Sequence, residues 1–346
     1  MFKKLFNNVI ETIKEEYKFI LFNIFLLCIL NYPLNYYITM GGGIDNVSSR
    51  VKVEDSYKGE GSFNISYVSQ VDANVLFYLL SYVIPTWERE SVNDYKYTDT
   101  ENMDDVQFRS DLDLKTANGT ATYWAYTLAD KKIELTSSRL YVIVTYPEEF
   151  ETSLKVKDEI LSIDGVHYEK VEDYSALIQE KNVGDKVKIK IIRNKKEQEV
   201  ETEVYETGEE EKRKIIGVSL QYVREYDTEP VVDINFKRQE SGPSGGLITT
   251  LELYNQLTEK DITKGLTIAG TGTIEEDGTI GQIGGIEHKI LGAVSAKADV
   301  FLSPGGRNYK VAKKYIKEKK LKIKLIKVDT IEDAINKLEE LEWELV

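Results

Sequence analysis

Cysteine and histidine are scarce in this sequence of 346 residues, which contains one cysteine, Cys28, and two histidines, His167 and His288. A single cysteine excludes an intramolecular disulfide framework and a cysteine-rich zinc module. The two histidines lie far apart, and neither has a cysteine or another histidine at ligand spacing. The sequence therefore predicts no metal site and no cofactor, and hydrolytic chemistry would depend mainly on Ser, Thr, Lys, Asp, Glu or Tyr.

Basic residues are outnumbered, since 45 Lys and Arg stand against 59 Asp and Glu, for a formal net charge of −14. A sequence-independent nucleic-acid binder needs clustered basic residues to displace counterions, so a nucleic-acid partner is not expected. The phosphate-binding pattern GxxxxGK[ST] is also missing, and no Gly-Lys pair occurs anywhere in the chain. The length predicts two or three domains with packed cores.

Long apolar runs are confined to the N-terminal region. Residues 19–38, FILFNIFLLCILNYPLNYYI, contain no charged residue, and a helix of that length would span roughly 30 Å, the hydrocarbon core of a bilayer. Four lysines precede this segment, whereas the first basic residue after it is Arg50. This bias predicts a single-pass anchor in the cell membrane, with the N-terminus inside and the remaining chain outside the cytoplasm.

Two other interpretations of this segment are a cleaved signal peptide and a buried core helix. No small-x-small cleavage pattern precedes Gly41, and no polar residues interrupt the run with a 3.6-residue period. A second apolar run, residues 75–84, ends at Pro85 and is too short to span a membrane. It predicts a buried or interfacial helix.

Composition and pattern divide the chain into four parts. These are a cytoplasmic stub with the transmembrane helix (1–40), a juxtamembrane α/β region (41–136), a β-rich unit (137–205) and an α/β unit (206–346). In the second part, residues 50–68 alternate as strands do. Residues 86–118 are charged and poor in apolar side chains, which predicts a mobile excursion.

The β-rich unit contains the run RLYVIVTY, an Asp164-Gly165 turn, helical apolar spacing over residues 171–179, and two alternating strands after Gly184. This pattern resembles a PDZ domain. The resemblance implies binding of extended peptides by strand addition. The usual carboxylate-binding glycine loop is not visible before Val142, so recognition of a C-terminus or of an internal segment remains open.

From about residue 214 strands alternate with helices over short connections, which predicts an α/β or α+β domain. The predicted helices are residues 246–258, 286–298, 308–320 and 330–341, the last capped by Asp329-Thr330, and the predicted strands include 266–274, 299–304 and 322–328. Within it, Ser244 stands in the motif Ser-Gly-Pro-Ser-Gly-Gly, residues 241–246, between a strand and an apolar helix. Glycines let the backbone turn sharply there, and the free N–H groups at the helix N-terminus can stabilise an oxyanion. Taken alone, the motif favours a simple Ser/Gly helix cap.

A second motif, GQIGGIEHKI at residues 281–290, places Lys289 in the first turns of another helix beside Ile286 and Ile290. Partial burial and the positive helix end would both lower the pKa of this lysine and favour the neutral amine that a general base requires. Taken alone, this motif favours a solvated surface lysine, which is by far the commoner case in a chain with 45 basic residues.

Together the two motifs resemble the proteolytic domain of Lon proteases, which use a serine–lysine dyad. The resemblance implies that Ser244 is the nucleophile, that Lys289 is the base and that Thr271, in GTGTI, hydrogen-bonds the lysine. It also implies that the backbone at Gly242, Gly245 and Gly246 serves the oxyanion and the substrate. The acidic residue that the family carries just before the serine motif is replaced by Ser241, with Glu240 adjacent.

The order of anchor, PDZ-like domain and Lon-like domain resembles the membrane-anchored PDZ–Lon proteases of the YlbL type. The expected fold is an α/β (α+β) Lon-type proteolytic domain preceded by a PDZ-like β-rich domain and one N-terminal transmembrane helix. The expected function is that of an ATP-independent, membrane-tethered serine endopeptidase cleaving extended or unfolded polypeptides outside the cytoplasm, with the PDZ domain engaging peptide segments. The substrate and any homo-oligomer are left open.

Two alternatives compete with this hypothesis. The chain could be a catalytically silent peptide-binding scaffold, or a hydrolase that pairs Ser244 with His288. Adjacent helical residues point about 100° apart, so His288 and Lys289 cannot both face Ser244. The motif favours Lys289, which predicts that His288 is a surface residue. His167, just after the Asp-Gly turn, is likewise expected to be exposed.

Overall fold

The computed structural model describes residues 2–208, 212–236 and 242–342, with side chains from residue 14 onward. The fold is mixed α/β. The helices are α1 Phe2–Leu30, α2 Val75–Leu80, α3 Met103–Leu128, α4 Val171–Gln179, α5 Gly246–Leu257, α6 Ile286–Ser295, α7 Gly306–Lys319 and α8 Ile331–Glu339. Two compact units are present: residues 1–41 with 68–94, and residues 42–67 with 95–346.

The strands range in length from two to 14 residues. They are β1 Pro33–Asn46, β2 Val51–Val53, β3 Ser62–Asn74, β4 Glu88–Ser91, β5 Lys132–Thr145, β6 Glu159–Ile163, β7 Lys186–Arg193, β8 Lys196–Glu203, β9 Tyr205–Thr207, β10 Arg213–Ile215, β11 Val218–Glu229, β12 Val232–Ile234, β13 Thr267–Gly270, β14 Thr273–Ile274, β15 Ile280–Gly281, β16 Val300–Pro304 and β17 Lys324–Val328.

The predicted transmembrane helix over residues 19–38 is wrong in extent, because α1 ends at Leu30 and β1 begins at Pro33. Proline lacks the N–H that a helix needs and pushes the preceding residue into extended conformation. The Asn31 side chain also donates to the Leu27 carbonyl at the last turn, over 2.8 Å. Within the part of the chain that the structure describes, no helix combines the length and the hydropathy needed to cross a membrane.

The second apolar run does form a helix, α2, but only over six residues. The Asn74 side chain caps it by accepting from the Phe77 N–H, and the Val75 N–H donates to the Tyr32 carbonyl. None of its residues is buried, and Leu79 is 54% exposed. A helix is therefore present over residues 75–80 of the predicted run, and the alternative that it is buried is wrong.

The predicted mobile excursion over residues 86–118 is wrong, because residues 103–118 belong to the 26-residue helix α3. Asn102 caps this helix through its side chain, and Asp104 and Asp105 stand in the first turn, where acidic groups favour the positive helix end. Arg109 and Glu101 form a buried ion pair at its start. Charge in this segment thus stabilises a helix instead of keeping the chain solvated.

A five-stranded antiparallel sheet forms the β-rich part of the larger unit, in the order β11-β5-β6-β7-β8. The helix predicted over residues 171–179 is confirmed as α4, and its buried Tyr174 and Ile178 pack on Leu140 and Ile191 of the sheet. The tight turn between β7 and β8 is made by Asn194 and Lys195, both with positive φ. Strand β11 lies outside the predicted 137–205 unit, yet it pairs along β5.

In the C-terminal part, parallel strands pair in the order β17-β16-β13-β3. The first four residues of β3 pair with β13, from Ser62 opposite Thr267 to Ile65 opposite Gly270. Helices α5 to α8 follow the predicted pattern, and Thr330 caps α8 as predicted by accepting from the Asp333 N–H. The helical prediction was reliable here because apolar spacing, caps and short connections agree.

The apolar core of this region joins elements from distant parts of the sequence. Leu247 and Leu251 of α5 are fully buried with Ala121 and Ala125 of α3 and with Phe63 of β3. Helix α5 is buried over nearly its whole length. The element that carries the serine motif is consequently fixed by packing on several sides.

Candidate active site

Ser244 lies in a single 3-10 turn, Pro243–Gly245, that leads directly into α5. Gly242 enters this turn with φ of +99°, a conformation that L-amino acids rarely adopt. The Ser244 carbonyl accepts from the Gly272 N–H over 2.8 Å and from Thr271 Oγ1 over 3.1 Å. The backbone of the serine is thus fixed, while its side chain is half-buried at the helix N-terminus.

Lys289 stands in the first turns of α6, which follows Gly285 in left-handed conformation. Its Nζ lies 2.9 Å from Ser244 Oγ and 2.8 Å from Thr271 Oγ1. The residue is only 5% exposed, and this burial lowers the pKa of the lysine from 10.5 to about 8. Burial lowers the pKa because a charged ammonium loses its hydration there.

Thr271 connects the other two residues. It is fully buried, its Oγ1 accepts from Lys289 Nζ, and the same hydroxyl donates to the Ser244 carbonyl. The structure therefore brings together the three residues singled out by sequence, from the turn before α5, the residue after β13 and the start of α6.

The motif glycines have different surroundings. A Cβ on Gly245 would lie 2.8 Å from Ile65 Cδ1, and one on Gly246 would lie 2.7 Å from Ile274 Cγ2. The Gly246 N–H donates to the Pro243 carbonyl. Gly242 has open space around it. Ser241 and Glu240 lie outside the described residues.

Neither histidine shares in this arrangement. It is Lys289, not His288, that hydrogen-bonds Ser244, and His288 is half-buried where the sequence predicts a surface residue. His167 is exposed as predicted, with Nδ1 3.0 Å from the Leu161 carbonyl. Among the described residues, no group of three or more His, Cys, Asp and Glu side chains could hold a metal ion.

The sequence reasoning missed two features. Strand β3 reaches the site, since Ile65 lies against Gly245 and Ser66 contacts the backbone of Lys289. The second feature is the turn at Gly217, with φ of +71°, which leads into the sheet-edge strand β11 beside α4. No glycine loop is visible before Val142, but the sequence Ile-Ile-Gly-Val at 215–218 indicates a glycine turn directly before a strand.

Comparisons with known proteins define two classes of domain in this chain. Residues 132–204 match the PDZ domain family model, and residues 238–340 match that of the Lon protease (S16) C-terminal proteolytic domain. The chain thus carries a PDZ domain and a Lon-type proteolytic domain, and the second match supports a serine protease.

Two solved structures are similar to part of the chain. One is the PDZ domain of an SdrC-like protein from Listeria monocytogenes, at 23% identity, covering 25% of this chain and 92% of that one, with a TM-score of 0.21. The other is the second domain of a Listeria protein, at 27% identity, covering 25% and 88%, with a TM-score of 0.22. The search of curated proteins found no match.

Proposed function

We propose that this protein is a serine endopeptidase in which Ser244 is the nucleophile and Lys289 the general base. The observation that carries the proposal is the 2.9 Å separation of Lys289 Nζ from Ser244 Oγ, with the lysine buried. A pKa near 8 leaves an appreciable neutral fraction of this amine at neutral pH. A serine hydroxyl becomes a useful nucleophile when such a base stands within hydrogen-bond reach.

The reaction is acyl transfer to Ser244. Its Oγ forms a bond to the peptide carbonyl carbon as neutral Lys289 takes the hydroxyl proton. The oxyanion is held by backbone N–H groups of Ser244 and Gly245 at the positive end of α5; Pro243 has no N–H to offer. The C–N bond then breaks, and Lys289 returns the proton to the leaving amine. Water attacks the acyl-enzyme by the same proton route, releasing the acid and restoring Ser244.

We propose extended or unfolded polypeptides as substrates, cleaved without ATP. The family match supports a protease, and the full sequence contains no phosphate-binding GxxxxGK[ST] loop with which this chain could drive unfolding itself. An unfolded segment does not need ATP-driven unfolding before cleavage, because its backbone is already extended.

The PDZ domain would hold such a segment along the outer edge of β11. This strand ends the sheet, and α4 packs beside it. Val218 and Leu220 are half-buried on the same side as Val171 and Leu177 of α4, which provides apolar contacts for alternate side chains of an added strand. Further along, Thr116 of α3 donates to the Tyr222 carbonyl, so the edge available for pairing precedes that residue.

We also propose attachment to the cell membrane, with the proteolytic domain outside the cytoplasm. The proposal rests on the apolar sequence of residues 19–30 and on the exposed apolar side chains of α1 and α2, among them Phe19, Phe25 and Leu79. Such surfaces favour the interfacial region of a bilayer. Fractionation of cells and protease accessibility in intact cells test it; recovery in the soluble fraction would contradict it.

The test of the enzymatic proposal compares cleavage of an unstructured protein such as casein by the wild-type chain, Ser244→Ala and Lys289→Ala. Matched controls are Ser295→Ala and Lys310→Ala, which change exposed residues of the same types on α6 and α7. We expect both dyad variants to lose activity and both controls to retain it. Equal cleavage by wild type and dyad variants would contradict the dyad. A folded but inactive wild type would instead favour the peptide-binding scaffold.

A further inference from the structure

Strand β3, which precedes the PDZ domain in sequence, contacts both elements that carry the dyad of Ser244 and Lys289. The family match for the proteolytic domain begins at residue 238, yet residues 62–67 of β3 lie in the same compact unit as the dyad. Ser62 to Ile65 pair in parallel with β13, the strand directly before Thr271. The next residue, Ser66, is fully buried.

Ser66 contacts the element that carries the base. Its Oγ donates to the backbone carbonyl of Lys289 over 2.6 Å, across 223 residues of sequence. A buried hydroxyl that donates to a helix carbonyl adds a bond to the one that the helix itself makes, and this extra bond ties the peptide group to the strand that carries the hydroxyl. Ser66 therefore fixes the helical turn from which the Lys289 side chain extends.

Ile65 contacts the element that carries the nucleophile. Its Cδ1 would come within 2.8 Å of a Cβ on Gly245, so only a glycine there allows the serine turn to lie so close to β3. On the helix side, a Cβ on Gly292 would lie 3.0 Å from the Gly43 backbone nitrogen, which shows that α6 also lies close to the backbone of β1. Adjacent residues of one strand thus support both halves of the dyad.

We propose that Ser66 is a positioning residue for catalysis, which holds Lys289 at hydrogen-bond distance from Ser244 through its bond to the Lys289 carbonyl. The proteolytic site is then built from two segments separated by the PDZ domain. This inference rests on the proposed endopeptidase function. Ser66 touches neither substrate nor the reacting atoms, and it acts through the placement of the base.

The test measures kcat, KM and the pH dependence of kcat for Ser66→Ala, Ser66→Cys and Ser66→Thr in the full chain. Cysteine has nearly the volume of serine but is a weak donor, and threonine keeps the hydroxyl. The control is Thr258→Val, which removes a hydroxyl that donates to a helix carbonyl at the other end of α5.

We expect kcat to fall about 10-fold or more in the alanine and cysteine variants, with KM within about twofold, because small misplacement of a catalytic group is costly. We also expect the pH profile of kcat to shift to higher pH in these two variants. A Lys289 side chain that is held less firmly becomes more hydrated, and hydration stabilises its charged form and raises its pKa. Ser66→Thr and Thr258→Val should keep the wild-type profile.

The inference would be overturned if folded Ser66→Ala or Ser66→Cys had the wild-type kcat and pH profile. If Ser66→Ala does not fold, the result for Ser66→Cys decides between the two outcomes. Failure of the proposed function is distinguishable, because the wild type would then lack activity that depends on Ser244.

Discussion

Thr271 Oγ1 lies 2.8 Å from Lys289 Nζ, and the same hydroxyl donates to the Ser244 carbonyl. One buried hydroxyl thus contacts the Lys289 amine and fixes the backbone of Ser244, the base and the nucleophile of the proposed mechanism.

Thr271→Val should lower kcat by at least about 10-fold, because the lysine keeps its position but loses the acceptor that orients its amine. Thr271→Ser should retain most of the activity, since it keeps the hydroxyl. Thr273→Val, two residues along, removes a hydroxyl that bonds Glu275 on the surface and serves as the control. Peptide hydrolysis measured under saturating substrate checks the prediction; full activity of Thr271→Val would contradict it.

Activity should rise with pH through a limb centred near 8, the pKa of buried Lys289. The direction follows from the need for a neutral amine, whose fraction grows as pH passes the pKa. The measurement is kcat from pH 6 to about 10 in buffers of constant ionic strength. A limb near 10.5, the ordinary lysine value, would show that Lys289 is hydrated in the working enzyme.

Lys289→Met should stabilise the folded chain at neutral pH while abolishing activity. The folded-state pKa lies below the unfolded value, so the unfolded state binds more protons between about pH 8 and 10.5, and wild-type stability rises across that window. Below about pH 8, the charged and buried Lys289 lowers the free energy of unfolding of the wild type by about 3 kcal/mol. Urea unfolding of both chains at pH 7 and pH 10.5 checks this: the free energy of unfolding of Lys289→Met should exceed that of the wild type by more at pH 7 than at pH 10.5. Equal gains at both values would count against it.

Gly246→Ala should destabilise the chain by about 1–3 kcal/mol, because its Cβ would meet Ile274 at 2.7 Å and the Ile274 backbone nitrogen at 3.0 Å. Gly284→Ala is the matched control, since Gly284 also belongs to a motif but has no atom within 4 Å of an added Cβ. Thermal unfolding of both variants makes the comparison. Equal melting temperatures would show that the start of α5 can shift to accommodate a methyl group.

Leu220→Asp should raise KM for an unstructured protein severalfold while leaving hydrolysis of a short peptide unchanged. The reason is that a carboxylate on the half-buried edge of β11 opposes binding of apolar side chains beside α4. Lys196→Asp, on the strand at the opposite sheet edge, is the control. Equal KM values for wild type and Leu220→Asp would place polypeptide binding elsewhere on the chain.

Local sequence patterns predicted most of the elements around the dyad. Helix α4 matches its apolar spacing, and the strands and helices after residue 246 follow predicted positions to within a few residues. Ser244, Thr271 and Lys289 could be singled out because each stands in a short motif. These signals depend on neighbours within a few positions, which the sequence displays directly.

The prediction for residues 86–118 was wrong because their apolar residues are few. Helix α3 depends on its Asn102 cap, on a buried Arg109–Glu101 pair and on packing of its second half against α5. Most helical stability comes from such packing, which no local count of apolar residues reveals.

The sequence by itself determined which residue types could perform the chemistry, and it placed each at the start of a helix or the end of a strand. Only the tertiary structure decided that Lys289 is buried within 2.9 Å of Ser244, and that Ser66 supports it from 223 residues away. The physical reason is that burial and strand pairing depend on contacts between distant segments. The motifs indicated the pairing of Ser244 with Lys289 only through the family resemblance, and they carry no information about the contact with Ser66.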